Sequence, residues 1–177
     1  MQNNSNNIKI MVEGALCIAL AVVLSRINLF ELPQGGSVDL RLVPMIVFAW
    51  RRGLKAGLGV GFLTGVTRIL FGAYIYHPIQ VILDYPLAYM CAGLAAAFLF
   101  LNNKLAAHVL GVIAAAAAQI FCNVISGALF FAQYAPAGQN PWVYSLLYNA
   151  PVMSVKYILS GAIAFILYKA LNKVFKY

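Results

Sequence analysis

The chain has 177 residues, of which 63% are hydrophobic and 9% charged, with a formal net charge of +8 and a mean hydropathy of +0.86. A soluble domain carries about 25% charged residues, so there is too little polar surface to cover a globule in water. The chain is expected to be an integral membrane protein, one domain over 1–177 with no room for a separate soluble catalytic module.

A spanning helix needs about 20 mostly apolar residues. The first predicted span covers residues 8–27, after a short polar start. No small-x-small cleavage site follows, so it reads as a retained helix rather than a signal peptide. It carries Ala15-Leu-Cys-Ile-Ala19, a small-xxx-small strip that lets another helix approach closely. The second span, 39–50, is short for a crossing. The remaining spans are 54–71, 79–101, 105–132 and 146–171.

The linkers fall into two classes. Arg51-Arg52-Gly53-Leu54-Lys55, Asn102-Asn103-Lys104 and the tail with Lys169, Lys173 and Lys176 are basic. Linkers 28–38, 72–78 and 133–144 contain no Lys or Arg and are richer in Gly, Pro and aromatic residues. This alternation is the positive-inside pattern of an even number of spans with both termini cytoplasmic. The expected architecture is all-α, with six transmembrane helices in the bacterial plasma membrane. Basic residues gathered at segment ends argue against nucleic-acid binding.

The chemistry gathers near the outer ends of the spans. Asp84 is one of four acidic residues in the chain and lies in an apolar stretch with Tyr74, Tyr85 and Tyr89 around it. A carboxylate in lipid marks a functional site by default, and aromatic faces around an acid suit a small organic cation. The alternative is an Asp paired with an in-membrane Arg to hold helices together.

Residues four apart share a helix face. Such sets are Gln80 and Asp84; Asn123, Gly127 and Phe131; Ser145 and Asn149; and Tyr144 and Tyr148. Asp39, at the outer end of the second span, joins them. Each pair alone is also compatible with ordinary helix packing. Arg41 and Arg68 fall in predicted spans and are expected to pair with Asp39 or Asp84, the alternative being contact with an anionic part of a ligand.

Cys17, Cys91 and Cys122 read as small core residues. His77 and His108 have no partner at metal spacing. No catalytic motif or phosphate-binding loop is present, so neither an enzyme nor a metal or cofactor site is expected, and ATP hydrolysis would have to come from another subunit.

Together these residues resemble the thiamine-specific S component of energy-coupling factor (ECF) transporters. The resemblance covers most of the chain. It is strongest in Gly35-Gly36-Ser37, in Arg51-Arg52-Gly53-Leu54-Lys55-Ala56-Gly57, in the run from Tyr74 through Asp84-Tyr85-Pro86, and in Ile125-Ser-Gly127 with the run from Tyr134 to Asn149. It implies the S-component fold, vitamin capture from outside, and docking on a transmembrane coupling protein with two ATPases.

By the same resemblance Ala15 and Ala19 would contact the coupling protein, and Asp84 would face the thiazolium. Tyr85 and Tyr74 would supply aromatic and hydroxyl contacts, while Gly127, Tyr144, Ser145 and Asn149 would read the aminopyrimidine. Asn123 stands where some members have a stacking His, and Phe131 and Gly35 where some have Trp. A thiamine precursor or a phosphorylated form stays open as ligand. A membrane enzyme acting on lipid or isoprenoid is a remoter alternative, with Asp39 and Asp84, on different spans, as its only candidate acids, and a purely structural membrane subunit is a third reading.

Overall fold

The structure, a computed structural model, describes residues 2–31 and 36–174. Gly35, Gln34 and Pro33 of the first outer linker and Lys176 of the tail lie outside the described residues. The chain is mostly helical. Helix α1 (Gln2–Leu24) leads into an antiparallel hairpin of β1 (Asn28–Glu31) and β2 (Ser37–Asp39), in which Asn28 pairs with Asp39 and Glu31 with Ser37.

The hairpin adds a short strand pair to an otherwise helical chain, and Asp39 closes a strand instead of opening the second span. The reason is local. The Asp39 carboxylate accepts the backbone N–H of Arg41 at 3.0 Å, a turn that competes with helix formation. Helix α2 (Leu42–Arg52) therefore starts three residues later.

Helix α2 is buried nearly all round, through Leu42, Val43 and Met45 to Trp50, and packs against α1 and against α3 (Leu54–Leu70). At about 1.5 Å per residue its 11 residues reach roughly 16 Å, about half the thickness of the hydrocarbon core. Gly53, at φ +84°, supplies the turn between α2 and α3. Arg51 and Arg52 at the end of α2 both pair with Glu13 of α1.

Helix α4 (Pro78–Ala96) is irregular. It begins as α-helix, passes through a π-helical turn at Leu83–Leu87 and ends as 3-10 helix over Cys91–Ala96. Pro86 lies inside the π turn. It has no N–H to give to the helix ladder, which favours a locally altered register.

Helix α5 (Lys104–Phe130) is capped by the Asn103 side chain, which accepts the Ala106 N–H at 3.1 Å. A short 3-10 turn at Ala132–Tyr134 precedes α6 (Pro141–Val174), which starts five residues before the predicted sixth span. Among the described residues, four segments are long and apolar enough to cross a membrane: Ser5–Leu24, Pro78–Ala96, Lys104–Phe130 and Pro141–Leu171.

Candidate functional site

Three glycines at helical spacing position the site. A side chain on Gly61 would meet the Tyr89 carbonyl at 2.4 Å, and one on Gly65 would meet the Tyr85 carbonyl at 2.4 Å. Gly57 likewise faces Gly93. This bare stripe on α3 lets the backbone of α4 lie directly against it. The π turn is seated there, and Asp84 and Tyr85 line a cavity of about 560 Å³ between α3, α4, α5, α6 and the hairpin.

Asp84 is half-buried, and its Oδ2 accepts from the Gln80 amide at 2.7 Å. Among the described residues it forms no ion pair. Gln80, only 1% exposed, also donates to the Tyr74 carbonyl at 3.2 Å and accepts the Tyr76 N–H at 3.0 Å. The Tyr85 hydroxyl accepts the Tyr74 N–H at 2.8 Å. One glutamine and one tyrosine thus fasten the 72–78 linker over the acid. That linker brings Tyr74 and Tyr76 within 6.0 Å of the Phe131 ring, with Tyr134 beyond it at 6.3 Å. The result is an aromatic wall beside a carboxylate.

The opposite wall comes from α5 and α6. Gly127 faces Ser145, whose Oγ would lie 2.1 Å from an added Cβ, and Asn149 is close behind. The Ser145 hydroxyl donates to the Val124 carbonyl at 3.0 Å, and the Asn149 amide donates to the Ser145 carbonyl at 2.9 Å. Asn123 lines the cavity, and its Oδ1 is buried without a hydrogen-bond partner among the described residues. The Tyr144 and Tyr148 rings lie side by side, tilted by 36° with centroids 5.9 Å apart.

A second charged group lies beneath. Asp39, expected among the binding residues, is fully buried and is not among the residues lining the cavity. Its Oδ2 pairs with Lys156 Nζ at 2.9 Å, and its Oδ1 accepts from Arg41 Nε at 2.8 Å. Arg41 also donates to the Tyr89 hydroxyl. Arg41 and Lys156 both line the cavity. Of the two expected pairings, Arg41 with Asp39 is found. Arg68 instead donates to the Phe71 carbonyl at 2.7 Å, and its Nε is buried without a partner.

The cavity therefore brings together Asp84, Tyr85, Tyr74, Asn123, Gly127, Phe131, Tyr144, Ser145 and Asn149. Sequence reasoning misses Lys156 and Gln119, which also line it. The signal for Lys156 was a lone cation in the middle of an apolar span, the same rule that singles out Asp84. His77 serves locally, its Nδ1 accepting the Ile79 N–H at the start of α4. Among the described residues no three His, Cys, Asp or Glu side chains converge as a metal site would need. Ala15 and Ala19 are exposed on α1, while Cys17 and Ala21 face the core.

Known proteins share this fold and much of this sequence. Residues 11–176 match the profile of a family described as thiamine transporter protein. The thiamine transporter ThiT of Bacillus subtilis (strain 168) is 33% identical, over 98% of this chain and 97% of the relative. ThiT of Lacticaseibacillus paracasei is 30% identical over 79% of this chain and 77% of its own. A solved structure of ThiT from Listeria monocytogenes superposes with a TM-score of 0.82 at 31% identity, covering 95% of this chain and 97% of that one. The fold is also that of a solved S component of a bacterial ECF transporter, at TM-score 0.66 and 20% identity, with 98% of each chain covered. The chain is a multi-pass membrane protein and belongs to the thiamine transporter protein family.

Proposed function

We propose that this chain is the substrate-capture subunit of an ECF-type vitamin transporter, binding thiamine from outside and delivering it to an ATP-driven energising module. Asp84 carries the reading: a half-buried carboxylate in the cavity, without a cationic partner among the described residues and beside tyrosine rings. A thiazolium nitrogen is quaternary and has no N–H to donate, so it is held by a carboxylate field and aromatic faces. Asp84 with Tyr74 and Tyr85 supplies both. The aminopyrimidine needs donors and acceptors, which Asn123, Tyr144, Ser145 and Asn149 offer along the facing wall, with Gly127 leaving room and Phe131 closing the aromatic side. The names of the relatives support the same ligand.

The remaining parts of the reading rest on charge and exposure. The chain forms one domain of six spans with both termini cytoplasmic, and the linker 133–144 faces outside. Ala15 and Ala19 face a transmembrane coupling protein, which carries two ATPase subunits. A single cysteine placed at Gln139 tests the orientation, since it labels from outside intact cells in this arrangement and only after permeabilisation in the reverse one.

A phosphorylated form of thiamine is the second reading. Arg41 and Lys156 share the single acid Asp39, and Arg68 adds a third cation to the cavity lining. Thermal shift against a panel of thiamine, its phosphate esters, its pyrimidine half and unrelated vitamins separates the readings, because specific ligands raise stability by mass action. Stabilisation by thiamine and not by unrelated vitamins is expected. A flat response across the panel contradicts the assignment.

A further inference from the structure

A second cavity, of about 550 Å³, is lined by Lys104, Leu105, His108, Phe165, Tyr168 and Lys169. At a rise of about 1.5 Å per residue, His108 lies ~28 Å along α5 from Gly127. The two cavities therefore sit at opposite ends of the helix.

Its polar groups are specific. Lys104 and Lys169 are exposed, and Lys169 Nζ lies 4.5 Å from the centroid of the Phe165 ring. His108 is 6% exposed and meets the Trp50 ring edge-on, with centroids 4.5 Å apart. Its Nδ1 bonds the Lys104 carbonyl. A carbonyl only accepts, so Nδ1 carries the proton and donates it. The buried Nε2 has no hydrogen-bond partner, and in the neutral ring it is an acceptor. Buried polar atoms are nearly always paired, so this one calls for a donor from a ligand. The cavity thus presents two ammonium groups to an anion, and the unpaired Nε2 of the lining His108 is an acceptor that a ligand hydroxyl reaches once the ring shifts toward the cavity.

The apolar surroundings indicate what the anion is attached to. Leu105, Val109 and Ile113 recur every four residues on one face of α5 and are 57%, 49% and 56% exposed. This stripe runs from the cavity along a helix apolar enough to cross the membrane.

We propose that this cavity binds an anionic phospholipid whose head group carries hydroxyls. The phosphate lies between Lys104 and Lys169, a head-group hydroxyl donates to His108 Nε2, and an acyl chain follows Leu105, Val109 and Ile113. Basic pockets between spanning helices suit such head groups on general electrostatic grounds.

The test uses the delipidated full chain in detergent, read by native mass spectrometry and thermal shift. The probes are phosphatidylglycerol, phosphatidylmethanol with the same charge but no head-group hydroxyl, phosphatidylcholine, and glycerol 3-phosphate without acyl chains. Phosphatidylglycerol is retained and raises the melting temperature, phosphatidylmethanol does so less, and the other two do not. Lys104→Gln with Lys169→Gln weakens phosphatidylglycerol binding roughly 30-fold and leaves thiamine binding unchanged. His108→Phe, its fold checked by thiamine binding, removes the preference for phosphatidylglycerol over phosphatidylmethanol. Equal retention of phosphatidylcholine, an unchanged lipid preference in the double lysine variant, or full stabilisation by glycerol 3-phosphate overturns the proposal.

Discussion

Lys156 Nζ lies 2.9 Å from Asp39 Oδ2 across 117 residues of chain, with side chains only 3% and 0% exposed. The contact ties the middle of α6 to the hairpin, and Arg41 joins it at the start of α2. One buried acid is shared by two buried cations, Arg41 and Lys156, so the cluster keeps an excess of positive charge. Asp39 ties the hairpin, α2 and α6 together beneath the cavity.

Removing the acid strands two charges, whereas removing Lys156 leaves Asp39 still paired with Arg41. Breaking a buried pair from one side costs about 3–5 kcal/mol. Asp39→Asn is expected to lower the apo melting temperature by that scale of destabilisation, and Lys156→Met by clearly less. Equal losses in the two variants contradict this division of roles.

At Gly127, α5 lies close against Ser145 of α6. A Cβ there lies 2.1 Å from Ser145 Oγ, and overpacking of this kind costs about 1–3 kcal/mol. Gly127→Ala is expected to lower both melting temperature and thiamine affinity. Adding Ser145→Ala removes the clashing oxygen and restores part of the melting temperature. Absence of any such recovery shows that the Gly127 requirement lies elsewhere.

Gln80 holds Tyr74, Tyr76 and Asp84 at once. Gln80→Leu keeps the bulk and removes every one of these part-buried bonds, each worth about 0.5–1.5 kcal/mol net. Faster proteolysis or hydrogen exchange of residues 72–78 is expected, together with weaker thiamine binding. Unchanged exchange in that linker contradicts its fastening by Gln80.

Ala15 and Ala19 lie on the exposed face of α1, away from the cavity lining. Replacing either with Leu is expected to leave thiamine binding intact and abolish uptake by cells carrying the whole transporter. Normal uptake in both variants removes this face as the docking surface.

The membrane class was legible because composition alone forbids a soluble globule, and the helix ends near Trp50, Leu70 and Phe130 follow from hydropathy. Asp84 and its aromatic neighbours were legible because an acid in an apolar run has few reasons to be there. The hairpin was not, since Asn28–Glu31 and Ser37–Asp39 are too short for a period-two pattern to register. The partner of Arg41 was among the expected acids, but Lys156 completes the cluster from 117 residues away, a distance no local pattern carries. The stripe of Gly57, Gly61 and Gly65 was present in the sequence at helical spacing. Its meaning, a seat for the π turn of α4, appears only once the two backbones are in contact.

The most direct test of thiamine recognition is calorimetric binding to the Asp84→Asn variant, with thiamine and its neutral pyrimidine half titrated side by side and the apo melting temperature recorded. On the proposed reading the carboxylate faces the thiazolium charge from a half-buried position, where water screens it less than in bulk. Thiamine affinity is therefore expected to fall roughly 10- to 100-fold, the range for a lost charged partner, while affinity for the pyrimidine half changes by no more than about twofold on the same scale. A lowered melting temperature with unchanged thiamine affinity, or an equal loss for both ligands, contradicts Asp84 as the counter-charge of the thiazolium.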